Sequence, residues 1–176
     1  MCSDTAPVRD DLSQHSQVLT FTLGNETYGV DILGVQEIRG WSAVTLIPNA
    51  PHHVLGVLNL RGSIVPIIDL RKRLSLEPAD YTAITVVIVL SSRIDGAPRN
   101  VGMVVDGVSD VVDISAIAVE PVPALISEGS PGHVRGIASI GERMIILLDC
   151  ARLIGASNVT QIDYDMNTQN QLAAAS

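Results

Sequence analysis

A chain of 176 residues with a formal net charge of −8 and 11 Lys plus Arg argues against nucleic acid as a partner, because neutralising phosphates takes clustered basic residues. Residues are 47% apolar but 3% aromatic, so the core has to be built from Val, Ile and Leu, and this points to an all-β fold with a few short helices. Two cysteines, Cys2 and Cys150, make neither a disulfide framework nor a metal-ligand spacing, which fits a reduced, cytoplasmic protein.

Residues 1–17 are polar and read as a flexible arm with no apolar signal segment. Residues 18–23 alternate strictly, with Leu19, Phe21 and Leu23 on one face, as in a strand with one buried face. Turn chemistry at Gly24-Asn25-Glu26 leads to a strand over 27–32, a bend or bulge at Gly34, and a strand over 35–39. Residues 41–51 form a connector, and a helical turn over 50–55 leads into a hairpin that starts at Gly56 and breaks at Asn59 to Ser63. Pro66 lies in the hairpin's second strand and cannot donate to a ladder, so its nitrogen should face an edge or a bulge. Asp69 then caps a short helix that carries Arg71, Lys72 and Arg73 towards its C-terminal end, where the dipole favours cations.

Residues 77–80 look like a link. The near-continuous apolar run over 84–90 reads as a strand buried on both faces, and 91–98 as a polar loop. Strands over 99–105 and 107–112, a Pro- and Gly-rich connector, a second hairpin and a helix capped by Asp149 complete the folded part. No apolar run approaches the ~20 residues of a membrane-spanning helix.

The second half repeats the first. Adding 80 takes Gly56 to Gly136, Ile68 to Leu148 and Asp69 to Asp149; adding 73 takes Gly29 to Gly102 and Gly34 to Gly107. A repeat this short is marginal alone, so two lobes packed on each other are expected, about 18–80 and 81–156, followed by a partly disordered or helical tail over 157–176.

No phosphate loop, dinucleotide fingerprint, nucleophile elbow or paired-cysteine pattern is present, and the adjacent His52 and His53 make a poor metal pair. The chain is therefore read as a non-enzyme with no cofactor and no metal. Polar residues that the fold does not require stand out instead: Asn59 and Arg61 at a hairpin tip, and Glu37 and Arg39 around Ile38. Read as a recognition patch, a guanidinium grips a carboxylate or carbonyls while Val35, Ile38 and Leu60 offer an apolar seat.

Tyr28-Gly29-Val30-Asp31-Ile32, Val35-Gln36-Glu37-Ile38-Arg39-Gly40, Asn59-Leu60-Arg61-Gly62, Val65-Pro66-Ile67-Ile68-Asp69-Leu70-Arg71 and Val104-Val105-Asp106-Gly107-Val108-Ser109-Asp110-Val111 occur in order, in a match that runs from about Val18 to Ile154. Together they resemble the CheW family of bacterial chemotaxis coupling proteins. The resemblance implies two five-stranded barrels of the Src-homology-3-like type. It also implies a cytoplasmic adaptor, monomeric alone and assembled into rings in arrays, which joins the regulatory domain of the histidine kinase CheA to the membrane-distal tip of methyl-accepting receptors. By matching position it places Val35, Glu37, Ile38, Gly56, Asn59, Leu60, Arg61 and Gly62 at the receptor contact; the kinase contact, which the resemblance implies is carried by barrel-end hydrophobics, is expected on the second lobe at Val104, Val105, Asp106 and Val108. A coupling protein of another chemosensory pathway, such as pilus-based motility, and a ligand-binding barrel that uses the inter-lobe groove are the alternatives.

Overall fold

The computed structural model describes residues 17–123 and 132–155, so most of the expected arm and the whole expected tail lie outside the described residues. Strands β1 (Gln17–Leu23) and β2 (Glu26–Asp31) form a hairpin, and a 3-10 turn (Ile32–Gly34) leads to β3 (Val35–Gly40). The bend expected at Gly34 is this turn: Asp31 caps it by accepting the Leu33 N–H at 2.9 Å. The second hairpin is β4 (Val54–Leu60) and β5 (Ser63–Asp69), followed by α1 (Leu70–Arg73). No helix covers 50–55; the Val54 N–H donates to the Pro51 carbonyl in one turn, and the chain is already extended at Val54.

Strands β6 (Val86–Ile94) and β7 (Ala97–Val105) are joined at Asp95 and Gly96, both with positive φ. The expected polar loop over 91–98 is therefore mostly a paired hairpin, with Ser91 opposite Asn100 and Ile94 opposite Ala97 across a two-residue turn suited to an Asp-Gly pair. Then come β8 (Gly107–Asp113), the two-residue β9 (Val119–Glu120), β10 (Val134–Ile140), β11 (Arg143–Leu148) and α2 (Cys150–Gly155).

The strands gather into two sheets, one in the order β3-β6-β7-β5-β4 and the other β8-β1-β2-β11-β10-β9. This bears out an all-β, two-lobe fold with few short helices; the second lobe adds β9 to the expected five strands. It also corrects the sequential division near residue 80. The first two strands of each repeat leave their own copy and are inserted into the other's sheet, β1 and β2 between β8 and β11, and β6 and β7 between β3 and β5. The exchange keeps the repeat's register: Ile67 pairs with Gly102 in the parallel β5–β7 ladder, and Leu147 with Gly29 in the parallel β11–β2 ladder. Pro66 needs no edge, because the ladder to β7 begins one residue later, at Ile67.

Burial follows from the exchange. Leu19, Phe21, Leu23, Ile68, Ile88, Leu90, Met103, Val105 and Leu153 pack in a central core fed by both sheets. Val65, Ile67, Val87, Val89 and Val104 fill the first lobe, and Val18, Ile114, Ala138, Ile145 and Leu147 the second. Hence β1 is buried on both faces rather than one. Its inner hydroxyl, Thr20, is satisfied by the Asp110 side chain at 2.5 Å and the Asp110 carbonyl at 2.9 Å. Both helices are capped as expected: Asp69 accepts the Arg71 N–H at 3.0 Å and the Tyr81 hydroxyl at 2.7 Å, and Asp149 accepts the Arg152 N–H at 3.1 Å.

The parallel ladders leave no room for a side chain at the crossing glycines. A Cβ on Gly102 would lie 2.3 Å from Ile67 Cδ1 and 3.0 Å from Val87 Cγ1, and one on Gly29 would lie 2.7 Å from Val18 Cγ1. Gly102→Ala is expected to destabilise the chain by about 1–3 kcal/mol, read as a lower urea midpoint. Gly29→Ala should act in the same direction, although it lies in the other sheet.

Candidate functional site

Val35, Glu37 and Ile38 lie on β3, Gly56, Asn59 and Leu60 on β4, and Arg61 and Gly62 make the β4–β5 turn. Strands β3 and β4 are opposite edges of the five-stranded sheet, yet Arg61 Nη2 sits 3.1 Å from Glu37 Oε2. The sheet therefore curls until its free edges face each other, and the pair bridges the gap. Arg39 Nη1 approaches the other Glu37 oxygen at 3.8 Å. Asn59 accepts the Gly62 N–H at 2.9 Å and fixes the tip, Leu60 packs against the lobe core, and Ile38 stays 46% exposed. Gly56 sits behind this face: it is buried at a bulge, and a Cβ there would lie 2.2 Å from the Thr45 carbonyl oxygen.

Arg61 carries a cost that its ion pair does not explain. Its φ is +52°, the left-handed region that costs a non-glycine residue about 1–2 kcal/mol, whereas the equivalent position in the second repeat holds Gly141 at φ +60°. The Arg61 side chain is 87% exposed, and an ion pair that exposed to water contributes little. The second lobe bridges its edges with Arg143 and Asp110, the latter equivalent to Glu37, at 3.7 Å, and keeps glycine at the strained position. Closing a lobe thus does not require an arginine at residue 61.

Of the expected kinase-contact residues, Val104 and Val105 are buried and Asp106 and Val108 are half-buried. Strand β7 is the central strand of its sheet, so Val104 (3% exposed) faces the lobe core and Val105 (1%) the central core. Asp106 is taken up by a clamp in which both its oxygens accept from Arg71, with Arg71 Nε to Oδ1 at 2.8 Å, and in which it also accepts the Gly24 N–H at 2.7 Å. The Arg71 hydrogen bonds hold its carboxyl below the usual range, and Val108 is half-buried against the central core. An apolar run as continuous as Val101 to Val105 belongs inside a sheet.

Two surfaces were missed from sequence. A cleft of about 520 Å³ opens at the foot of β3, lined by the turn of Asp31, Leu33 and Gly34, by Ser91 and Ser92 of β6, by Arg135 of β10, and by the β11–α2 junction from Leu148 to Ala151. The repeat explains it. Arg71 and Asp106 correspond to Ala151 and Leu33, so the clamp that fills one side of the molecule is replaced by a small residue and a leucine that is 71% exposed. At the cleft wall, burial pushes the Cys150 thiol up to about 12, which leaves it protonated and unreactive at neutral pH. The other is apolar and exposed: Leu46 and Ile84, in the connectors before β4 and β6, are 78% and 74% exposed, and Trp41 and Tyr81 of the same two connectors stack with ring centroids 4.3 Å apart. Comparing the two repeats position by position would have found the cleft; nothing local marks Leu46 or Ile84.

Among the described residues no helix is long and apolar enough to cross a membrane, and no group of three or more His, Cys, Asp or Glu is placed to hold a metal ion. Residues 17–158 match the family described as CheW-like domain. The chain is 46% identical over 147 residues to the Chemotaxis protein CheW of Klebsiella aerogenes, covering 84% of this chain and 86% of the relative. It is 38% identical over 133 residues to the Chemotaxis protein CheW of Rhizobium meliloti, covering 76% and 83%. Among solved structures, the scaffolding protein TtCheW from Thermoanaerobacter tengcongensis superposes with a TM-score of 0.69 at 32% identity, covering 78% of this chain and 91% of that one. With the family matched over most of its length and a solved scaffold sharing its two-lobe fold, the chain belongs to the CheW-like family of chemotaxis scaffolds.

Proposed function

We propose that the chain is a non-enzymatic, cytoplasmic adaptor that couples methyl-accepting chemoreceptors to a CheA-type histidine kinase, with separate faces for the two partners. The receptor face is the bridged edge of the first lobe: Glu37, Ile38, Asn59, Leu60 and Arg61, with Val35 at the rim of the cleft. The observation that carries it is Arg61 itself, an exposed cation kept at a strained backbone position where the other repeat has glycine. Backbone strain that stability does not account for is a mark of a functional position. A carboxylate on the partner can take over the Arg61 guanidinium while Ile38 meets an apolar side chain.

The kinase contact, expected at the hydrophobic end of a barrel, is assigned to Leu46 and Ile84 rather than to β7, because these side chains are exposed and apolar while Val104 and Val105 are not accessible. Two faces on one rigid body couple the partners only if their joint binding favours one kinase state.

Arg61→Gly is expected to leave the urea midpoint unchanged or to raise stability by up to about 1 kcal/mol, since it removes the left-handed strain. Its affinity for a receptor signalling fragment, measured by calorimetry, should fall at least about tenfold, near 1.4 kcal/mol. Arg61→Asp should keep the fold and bind more weakly still; a variant that loses its fold would make Arg61 structural. Leu46→Asp combined with Ile84→Asp should abolish co-purification with the kinase regulatory domain and leave receptor affinity intact.

A further inference from the structure

His53 and His133 occupy equivalent places in the two repeats, 80 residues apart. Each is tied to a helix cap by its carbonyl: Asp69 N–H donates to His53 O and Asp149 N–H to His133 O, both at 2.8 Å. The rings find no such partners. Among the described residues neither ring nitrogen of His133, which is 2% exposed, has a hydrogen-bond partner, and His53 Nε2 is buried without one. Arg73 Nε, at the end of α1, is likewise buried without a partner. The position equivalent to Arg73 is Leu153, a core residue at 1% exposure, so the first repeat places a cation where the second buries a hydrocarbon.

The charges around the rings come from every side of this junction. Arg73 on α1 acts on both histidines, and His52 adds to its effect on His53. Arg152 on α2, whose Nη1 donates to the Gly132 carbonyl at 3.2 Å, adds to it on His133; Asp149 opposes it. Burial first, and the Arg73 guanidinium second, hold both imidazoles below the ordinary histidine range. Val54 and Val134, which follow the two histidines, share one core cluster with Leu70 and Leu74 on either side of Arg73 and with Leu153 and Ile154 of α2, so the elements that carry these groups meet across the two copies.

We propose that His53, His133 and Arg73 form a proton-sensitive latch between the repeats: neutral imidazoles let α1, α2 and the start of β10 pack together, and protons added to them release the α2 side. Because the folded values are depressed, the stability from packing neutral rings is present in full above the ordinary histidine pKa of about 6.5 and is lost as pH falls through the lower folded values. The clamped carboxylate of Asp106, also depressed, loses its contribution only below the ordinary carboxylate range, so the two windows separate.

The test is amide hydrogen exchange on the full chain between pH 7 and pH 5, corrected for intrinsic rates, at the Asp149 and Leu153 amides, which are bonded to His133 O and Asp149 O. Their opening constants should rise by up to about tenfold per pH unit for each proton taken up on opening. His133→Phe, which keeps a ring but cannot titrate, should flatten that rise. Arg73→Leu, which restores the residue of the other repeat, should move the NMR titration of His133 upward and also shrink the rise; it carries the test if the phenylalanine variant does not fold. Equal protection at pH 7 and pH 5, or an undiminished rise in these variants, overturns the latch.

Discussion

The parallel ladders, β5 with β7 and β11 with β2, turn two short repeats into one protein. Each repeat alone has two outer elements and no middle, because its first hairpin has gone to the other copy. Neither sheet closes, and neither core fills, until both copies are present. The ladders are crowded: side chains of the neighbouring strands occupy the space that a Cβ would need at Gly29 and Gly102. The return is a central core built from both sheets, which fixes the relative position of the lobes.

On this frame the two copies have diverged where they meet solvent. The first lobe puts an arginine on the strained tip where the second keeps Gly141. The clamp of Arg71 and Asp106 closes one side of the molecule, while Ala151 and Leu33 leave a cleft on the other. The repeat therefore serves as an internal control. Features shared by both copies, namely the capping aspartates and the bulges before Gly56 and Gly136, serve the fold; features present in one copy are candidates for function.

Much of this was legible in the residues. The 80- and 73-residue offsets and the capped helices at Asp69 and Asp149 follow from pattern and turn chemistry; Glu37 and Arg61 were read as members of one patch, but not as partners of each other. The exchange of hairpins was not legible, because repeats with the same apolar pattern offer equivalent edges in either copy and nothing local says which one a strand will join. The same blindness put Val104 and Val105 at an interface: they lie in a recognisable motif, but a central β7 buries both faces. The loop over 91–98 read as polar because its hairpin extends past the core, where pairing is carried by the backbone rather than by apolar alternation.

In the proposed adaptor, one chain holds a receptor face and a kinase face at once. The most direct measurement is receptor-dependent autophosphorylation of a CheA-type kinase in a reconstitution with a receptor signalling fragment, in which this chain is titrated from zero upwards. The account predicts no receptor response without the chain, a rise as it is added, and a decline at large excess, when separate copies occupy the two partners without bridging them. A receptor response of the same size at every concentration of the chain, zero included, would contradict it.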